Sequence, residues 1–263
     1  ALQATELDAT LDDEDGEFTV FAPTDDAFAA LLDELDITAD DLLNDPDLSD
    51  ILLYHVVSGA ELDSGDAVAA AGTTLEMANG QNVGLSLDGE SLLVNLSTVT
   101  ATDIEADNGV IHVIDTVLTP PDERGEPDQT IAEIASANED LSTLVAAAQQ
   151  ADLVDTLDSD GTFTVFAPTN AAFEALGQDN VDALLDDPAA LKAVLLQHVL
   201  AEGAGEVNSI KAFAANGTDV PTRAETNIPV SISEGSLRIG GATVTMTDVY
   251  ASNGVVHIID AVI

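Results

Sequence analysis

The chain has 263 residues, of which 50 are Asp or Glu and only 5 are Lys or Arg, giving a formal charge of −45. Phosphate groups are bound by clustered basic side chains, so this balance argues against nucleic acid and anionic membrane surfaces as partners. Cysteine is absent, which excludes disulfides and thiolate metal sites. No apolar run approaches the roughly 18 residues of a membrane span, and no signal peptide is recognisable.

The first 118 residues predict helices followed by strands. Phe18–Phe21 is a short apolar strand, and Thr24 is a good N-cap for a helix whose first residues are acidic. A second helix is expected to start at Thr38, and a third spans Ser49–Val56. The remaining segments alternate or run apolar between turn residues. They predict strands at Thr73–Met77, Asn82–Leu87, Ser91–Asn95, Val99–Ile104 and Val110–Leu118.

An internal repeat organises the chain. The segment Phe18–Phe28 returns as Phe163–Phe173, and Asn108–Leu118 returns as Asn253–Ile263. Both segments are displaced by 145 positions, from 18 to 163 and from 108 to 253. A repeat of this length indicates a duplicated domain rather than a solenoid unit. The second copy repeats the third helix at Pro188–Val199, followed by strands at Ile228–Ser233, Leu237–Ile239, Thr243–Val249 and Val255–Ile263.

Each copy therefore belongs to the α+β class. We expect a first domain at residues 1–119, a linker at 120–128 and a second domain at 129–263. Three prolines make the acidic linker extended and stiff. The second copy opens with a helical pattern from Ile131 to Ala148 that the first copy lacks, so the first copy's opening helix is expected to be missing or to lie upstream.

The repeated segments resemble the fasciclin domain family. One family signature, of the type Thr-Val-Phe-Ala-Pro-Thr-Asn-x-Ala-Phe, is met at Thr19–Phe28 and Thr164–Phe173. The other, of the type Asn-Gly-Val-x-His-x-Ile-Asp, is met at Asn108–Asp115 and Asn253–Asp260. The resemblance implies two tandem domains, each a mostly antiparallel β-wedge of about seven strands with a helical layer. It also implies a secreted or surface-bound protein of cell adhesion or extracellular matrix.

The resemblance further nominates residues for adhesion. In animal members, a Tyr-His pair and an Asp-Ile pair shortly before the second signature are linked to integrin binding. The second copy departs from the first of these pairs with Gln197 before its histidine, and from the other with Val in place of Ile. A microbe has no integrin, so the receptor itself is not carried over. The matching positions in this chain are Tyr54, His55, His198, Asp103, Ile104, Asp248 and Val249.

The histidines and acids also have plainer interpretations. His55 and His198 are expected to hydrogen-bond to backbone or to a polar group near the first signature; ligand contact and metal binding are the alternatives. His112 and His257 alternate with Ile and Val and are expected to point out of the core or to satisfy a turn. Asp103 closes a strand, where it is either a capping carboxylate or part of an adhesive motif.

Catalytic and metal sites are not expected. Asp115 and Asp260 follow a histidine by three residues, which places the two side chains on opposite faces of a strand. No nucleophile elbow accompanies them. The acidic segments Asp12–Gly16 and Asp158–Gly161 lack the spacing of a calcium loop and predict hydrated turns. Asn95 and Asn216 fit the N-glycosylation pattern, and Asn216 is the better candidate.

These observations predict a non-catalytic protein, without cofactor or metal, that binds other surface or matrix proteins, glycans or copies of itself. The alternative is a module that holds a small or lipid-like ligand between the helices and the wedge; a hydrolase would need a geometry that the sequence does not indicate. The acids are spread along the whole chain, which is typical of a halophile whose surface binds hydrated cations nonspecifically. An extracellular or cell-surface location is expected.

Overall fold

The chain divides into two compact units, the N-terminal unit (1–120) and the C-terminal unit (121–263). The computed structural model describes residues 5, 7, 11–13, 16–121 and 127–263. Glu14 and Asp15 of the first acidic segment, and Arg124 with its neighbours in the predicted linker, lie outside the described residues.

The N-terminal unit combines four described helices with one sheet. Thr24 accepts a hydrogen bond from the Ala27 amide at 3.1 Å and starts the first helix, as predicted. Thr38 and Asp41 form a capping box that starts the second. The helices are α1 (Asp25–Leu35), α2 (Ala39–Leu43), α3 (Leu48–Leu53) and α4 (Ser64–Ala69). The strands are β1 (Phe18–Pro23), β2 (Val56–Ser58), β3 (Thr74–Glu76), β4 (Asn82–Asp88), β5 (Ser91–Val94), β6 (Ser97–Ala106) and β7 (Gly109–Ile114).

The seven strands form one sheet in the order β2-β1-β7-β6-β5-β4-β3. All neighbours are antiparallel except β1 and β7, which run parallel over six residue pairs from Phe18–Gly109 to Pro23–Ile114. This parallel pair brings the two signature segments side by side. The core beneath it contains Phe21, Tyr54, Val57, Met77, Val83, Leu85, Val94, Ile114 and Leu118.

The C-terminal unit repeats this plan, and its described helices begin at Ile131. Thr130 and Glu133 form a capping box at the first of these helices. The helices are α5 (Ile131–Ala137), α6 (Ser142–Gln150), α7 (Val154–Leu157), α8 (Asn170–Leu176), α9 (Gln178–Asp186), α10 (Pro188–Gln197) and α11 (Ser209–Ala214). The strands are β8 (Phe163–Pro168), β9 (Asp219–Pro221), β10 (Asn227–Ser233), β11 (Ser236–Ile239), β12 (Ala242–Ala251) and β13 (Gly254–Ile259).

Six strands of the C-terminal unit form the sheet β8-β13-β12-β11-β10-β9, with β8 and β13 parallel. Val199, the counterpart of β2, makes only an isolated bridge to Val165. The prediction of two α+β domains with mostly antiparallel sheets of about seven strands is confirmed. Among the described residues, no helix is both long and apolar enough to span a bilayer.

The glycine of the second signature is required by the parallel pairing. A Cβ atom built on Gly109 would lie 2.1 Å from the Phe18 carbonyl oxygen, and one on Gly254 would lie 2.1 Å from that of Phe163. Any side chain there would push the parallel strands apart. The glycine of this signature is therefore explained by the close approach of the two parallel strands.

Two predictions about the elements are wrong. The stretch after the third helix was expected to contain only strands, yet α4 and α11 lie there. The last strand was expected to run to Leu118, but β7 ends at Ile114. Leu118 packs into the core from the segment that follows the strand.

Candidate functional site

Asp103 lies on a β-bulge in β6. The pairing between β6 and β7 slips between Ala101 and Ile104, and Asp103 adopts a left-handed backbone conformation with φ of 59°. Its carboxylate accepts hydrogen bonds from the Ser64 amide at 2.7 Å and from the Ser64 hydroxyl at 2.5 Å. These bonds favour the ionised form and lower the pKa of Asp103. The carboxylate is thus engaged at the start of α4.

The same bulge recurs in β12 of the C-terminal unit. Asp248 also has φ of 59°, and its carboxylate accepts hydrogen bonds from the amide and hydroxyl of Ser209 at the start of α11. The residues that follow differ in exposure. Ile104 is 46% exposed, whereas Val249 is partly buried against the core of its unit. Of the two pairs, only Asp103-Ile104 presents a largely exposed aliphatic side chain.

His112 is buried directly behind the first bulge. Its Nδ1 accepts a hydrogen bond from the Asp103 amide at 3.4 Å, so the proton is on Nε2, which donates to the Leu62 carbonyl at 2.8 Å. The ring stacks on Phe21 with 5.6 Å between centroids. His112 therefore ties the bulge, the loop before α4 and β1 together.

His257 repeats this arrangement in the C-terminal unit. It hydrogen-bonds to the Val207 carbonyl and the Asp248 amide, and it stacks on Phe166. Burial lowers the pKa of His257 below that of a free imidazole. The expectation that the two strand histidines point out of the core is wrong, because both are at most 1% exposed; the alternative, that they satisfy a turn, agrees with their bonds to the loop carbonyls of Leu62 and Val207. Every residue of β8 and β13 is buried, so alternation along these strands does not alternate between core and solvent.

Asp115 does not pair with His112. Its Oδ1 accepts hydrogen bonds from the Thr98 amide at 2.7 Å and the Ser97 hydroxyl at 3.1 Å, which joins the end of β7 to the start of β6. Asp260 accepts from the Thr243 amide at 2.7 Å in the same way. Each carboxylate thus connects the end of the last strand of its unit to the start of the neighbouring strand.

His55 connects the end of α3 to the last residues of its unit. Nδ1 donates to the Ile51 carbonyl at 2.7 Å, and Nε2 accepts a hydrogen bond from the Leu118 amide at 2.8 Å. Burial outweighs the bond to the Ile51 carbonyl, which favours the charged ring, and lowers the pKa of His55 to about 4. The imidazole is therefore neutral at pH 7 and serves as both donor and acceptor.

His198 makes the equivalent contacts after α10, to the Val194 carbonyl at 2.8 Å and from the Ile263 amide at 2.9 Å. Burial lowers its pKa as well. The predicted hydrogen bonding of both histidines to backbone is confirmed. The alternative partner, a polar group near the first signature such as Asn170, Asp25 or Asp26, is not needed, and the Asn170 side chain bonds to Ser142, Thr143 and Glu139.

Tyr54 forms a buried cluster with the turn after β5. Its hydroxyl donates to the Asn82 carbonyl at 2.7 Å and accepts a hydrogen bond from the Asn95 side-chain amide at 3.2 Å. The Asn95 side-chain oxygen accepts from the Gly84 amide at 2.8 Å. Asn95 also has φ of 55°, a conformation that asparagine tolerates better than most residues.

These positions separate the nominated adhesion residues into two groups. Tyr54, His55 and His198 are at most 4% exposed and are occupied inside the units. Asp103 and Ile104 lie on the exposed bulge of β6. Among the described residues, no group of His, Cys, Asp or Glu has the geometry of a metal site.

A family model for the fasciclin domain matches the chain twice, over residues 1–120 and 139–263. The chain belongs to the fasciclin domain family. Each match falls largely within one of the two structural units. The fold of the two units is therefore that of two fasciclin domains along one chain.

The relatives of these fasciclin domains differ widely in length. Protein sll1483 of Synechocystis is 42% identical over 136 residues, which cover 51% of this chain and 72% of that protein. The transforming growth factor-beta-induced protein ig-h3 of Oryctolagus cuniculus is 32% identical over 93% of this chain but only 34% of its own length. A solved FAS1 domain pair from the insect cell adhesion molecule Fasciclin I aligns over 99% of this chain with 20% identity and a TM-score of 0.47.

The asparagine that precedes the glycine in the second fasciclin signature also has a structural role. The Asn253 side-chain amide donates to the carbonyls of Leu157 and Ser159, and its oxygen accepts from the Ile131 amide at 2.9 Å. The Asn108 side chain likewise donates to the Leu11 carbonyl at 2.7 Å. These bonds hold the start of each unit against its last hairpin.

Sequence reasoning missed Ser64 and Ser209, which bind the bulge carboxylates. Each is the first residue of a short helix and follows a side-chain N-cap, Asp63 or Asn208. Such an N-cap before a serine was the available signal.

The two glycosylation candidates have different environments. The nitrogen of Asn95 that would carry a glycan is buried and bonded to Tyr54, so the expectation at Asn95 conflicts with the folded structure. Asn216 is partly exposed, and its side-chain oxygen accepts from the Ile232 amide at 2.8 Å. Asn216 remains the candidate acceptor.

Replacing Tyr54 with Phe is expected to lower the free energy of unfolding by about 2 kcal/mol, because the Asn82 carbonyl and the Asn95 amide each lose a buried partner. Urea unfolding in molar KCl, followed by circular dichroism, measures this loss. A free energy of unfolding equal to that of the unchanged protein would contradict the role given to the Tyr54 hydroxyl.

Proposed function

We propose that this protein is a non-catalytic adhesion or binding protein of the cell surface or extracellular matrix. It acts in high salt through contacts with proteins, glycans or further copies of itself. The observation that carries the proposal is the pair of fasciclin domains, matched over residues 1–120 and 139–263. The family resemblance links such domains to adhesion. Among the residues described, the histidines are buried, and Asp115 and Asp260 bond to the neighbouring strand, so these residues form no catalytic pair.

The exposed bulge of the N-terminal unit is the proposed contact surface. Ile104 presents an aliphatic side chain beside a carboxylate that Ser64 holds in place. A fixed charge next to an exposed apolar group supplies both orientation and burial when a partner docks. Val249 is partly buried at the equivalent place, so we assign the contact to the N-terminal unit rather than to both units.

High salt favours this mode of contact. At about 1 M salt the Debye length is only about 3 Å, so acidic surfaces approach one another without strong repulsion. Apolar contacts are not weakened by this screening, and salts that are excluded from protein surfaces strengthen them. Adhesion that depends on Ile104 should therefore increase with salt, in contrast to adhesion through ion pairs.

We expect Ile104→Ser to reduce adhesion about tenfold, because the change removes the apolar group at the centre of the proposed contact. Beads coated with the protein are mixed in molar KCl with one another or with uncoated beads. The coated beads are also incubated on arrays of glycans and extracellular proteins. Bead aggregation and array binding are counted for each variant. The control is Leu35→Ser in α1, which alters a similarly exposed aliphatic residue, 53% exposed, away from the bulge.

Two results would count against the proposal. Binding of the coated beads no greater than that of albumin-coated beads, across all targets, would remove adhesion as the function. Equal losses for Ile104→Ser and Leu35→Ser would leave adhesion in place but exclude the bulge as its contact surface.

A further inference from the structure

The C-terminal unit contains an apolar cavity of about 70 Å³ between its helices and its sheet. Helices α5, α6, α7 and α10 form one side, and strands β8 and β13 form the other. Ile131, Leu153, Phe163, Leu195 and Val256 are among the lining residues, and each is at most 5% exposed. Apolar walls of this kind favour an apolar occupant over water.

Arg223 also lines this cavity. It is one of only five basic residues in the chain. Its guanidinium carbon lies 4.7 Å from the centroid of the Phe163 ring, and its backbone amide donates to the Val199 carbonyl at 2.8 Å. A cation–π contact and a backbone bond therefore fix this positive charge at the cavity wall.

The guanidinium has an unused donor. Its Nε is buried and has no hydrogen-bond partner among the described residues. Its Nη2 lies 3.3 Å from Glu202, whose side chain is 83% exposed. A solvent-exposed pair of this kind contributes little, so an incoming anion would displace Glu202 at small cost. A buried orphan donor costs free energy that a bound acceptor would recover.

We propose that this cavity binds a small monocarboxylate with an unbranched alkyl chain, independently of the adhesive function. The alkyl chain occupies the apolar cavity, and the carboxylate accepts hydrogen bonds from Nε and Nη2 of Arg223. A planar carboxylate matches two adjacent guanidinium donors. The cavity has about half the volume of an engineered one of about 150 Å³ that holds benzene, so it fits a short chain of about three carbons better than a ring or a longer chain.

The charge of the protein favours a monoanion. The formal charge of −45 opposes every negative charge that approaches, so a doubly charged phosphate is disfavoured relative to a carboxylate. Salt screening reduces this opposition, and binding should be tested in molar KCl.

The test is an NMR titration of the ¹⁵N-labelled full chain with butanoate, 1-butanol and butylammonium, each of which has four carbons. We expect saturable shifts in the cavity-lining amides with butanoate, and affinities at least about tenfold weaker for the other two compounds. Arg223→Gln should weaken butanoate binding about tenfold or more. Arg238→Gln, which alters the other described arginine of this unit that pairs with an exposed glutamate, should leave it unchanged.

Two further variants keep the test decisive. Ala135→Leu fills part of the cavity and should abolish binding of the alkyl chain whatever its head group. Arg223→Lys retains the charge but not the paired donors, and it substitutes for Arg223→Gln if that variant does not fold by circular dichroism. Absence of butanoate binding, equal affinity for butanoate and 1-butanol, or full binding by a folded Arg223 variant would each overturn the proposal.

Discussion

Lowering the salt from molar concentration to about 0.01 M is expected to unfold both units, because the Debye length then grows from about 3 Å to about 30 Å. Acidic neighbours on a helix face lie about 5–6 Å apart, outside the first range and well inside the second. The helix α9 carries such neighbours, since Asp179, Asp182 and Asp186 follow one another at spacings of three and four residues. Their mutual repulsion is therefore screened in molar salt and strong in dilute buffer.

The structure supplies little internal compensation for this charge. Within the described ranges, two ion pairs connect basic and acidic side chains, Arg223–Glu202 and Arg238–Glu234, and both glutamates are more than 80% exposed. Within the same ranges, no Asp or Glu is buried. Nearly all of the negative charge thus faces solvent, where dissolved cations are its main counter-charge.

Far-UV circular dichroism during stepwise dialysis measures the effect, since the absence of Trp rules out the usual fluorescence probe. Sucrose at equal osmolality is the control, because it strengthens burial without screening charge. If sucrose replaces KCl fully, or if the protein keeps its native spectrum at about 0.01 M salt, the interpretation of the charge as a high-salt adaptation is wrong.

Acidification in molar salt is expected to destabilise both units between pH 6.5 and about pH 4. His55, His198 and His257 are buried in neutral form, and burial lowers the pKa of each. In this window the unfolded chain binds protons that the folded chain does not, so stability falls as the pH falls. The stability that the neutral histidines contribute is fully present above the pKa of the unfolded state, about 6.5.

The expected loss is large. Moving the pKa of His55 from 6.5 to about 4 corresponds to about 3 kcal/mol, a substantial part of the stability of a single domain. Protonation would convert Nε2 from an acceptor into a donor facing the Leu118 amide. Molar salt is required for the measurement, because protonation of carboxylates at low pH otherwise relieves repulsion and masks the effect.

Urea unfolding at several pH values gives the loss, and proton NMR assigns it. The chain has four histidines, so their imidazole signals are few enough to follow individually. The signals of His55, His198 and His257 should remain those of neutral rings at pH 5.5 in the folded protein. A titration of any of them near pH 6.5 without unfolding would show that the ring is solvated rather than buried.

Local signals explain why much of the fold was predictable. Thr24 and Thr38 carry the side-chain oxygen that a helix start needs, and both cap helices at the predicted places. The repeated segments with Phe18 and Asn108 pair in the parallel strands of each unit. These elements depend on residues close in sequence or on a motif present twice.

The errors have a common cause in long-range contacts. The helix α4 is six residues long, too short for a clear periodic pattern, and the amide of its first residue, Ser64, is bound by Asp103 from 39 positions away. His112 was misassigned because it lies on the buried face of β7 with Val110 and Ile114, while Ile111 and Val113 on the other face are only partly buried. The exposure of Ile104 and the position of Arg223 beside a cavity depend on packing that no spacing in the sequence reveals.

Under the proposed adhesive function, the parallel strand pair has a mechanical consequence. The start of β1 and the end of β7 lie at opposite ends of the pair, and the same is true of β8 and β13. Tension applied between these two points acts along the strands. The backbone hydrogen bonds of all six residue pairs are then sheared at once rather than opened one after another. Each unit thus presents its strand pair to a pulling force in the direction in which the pair yields least readily.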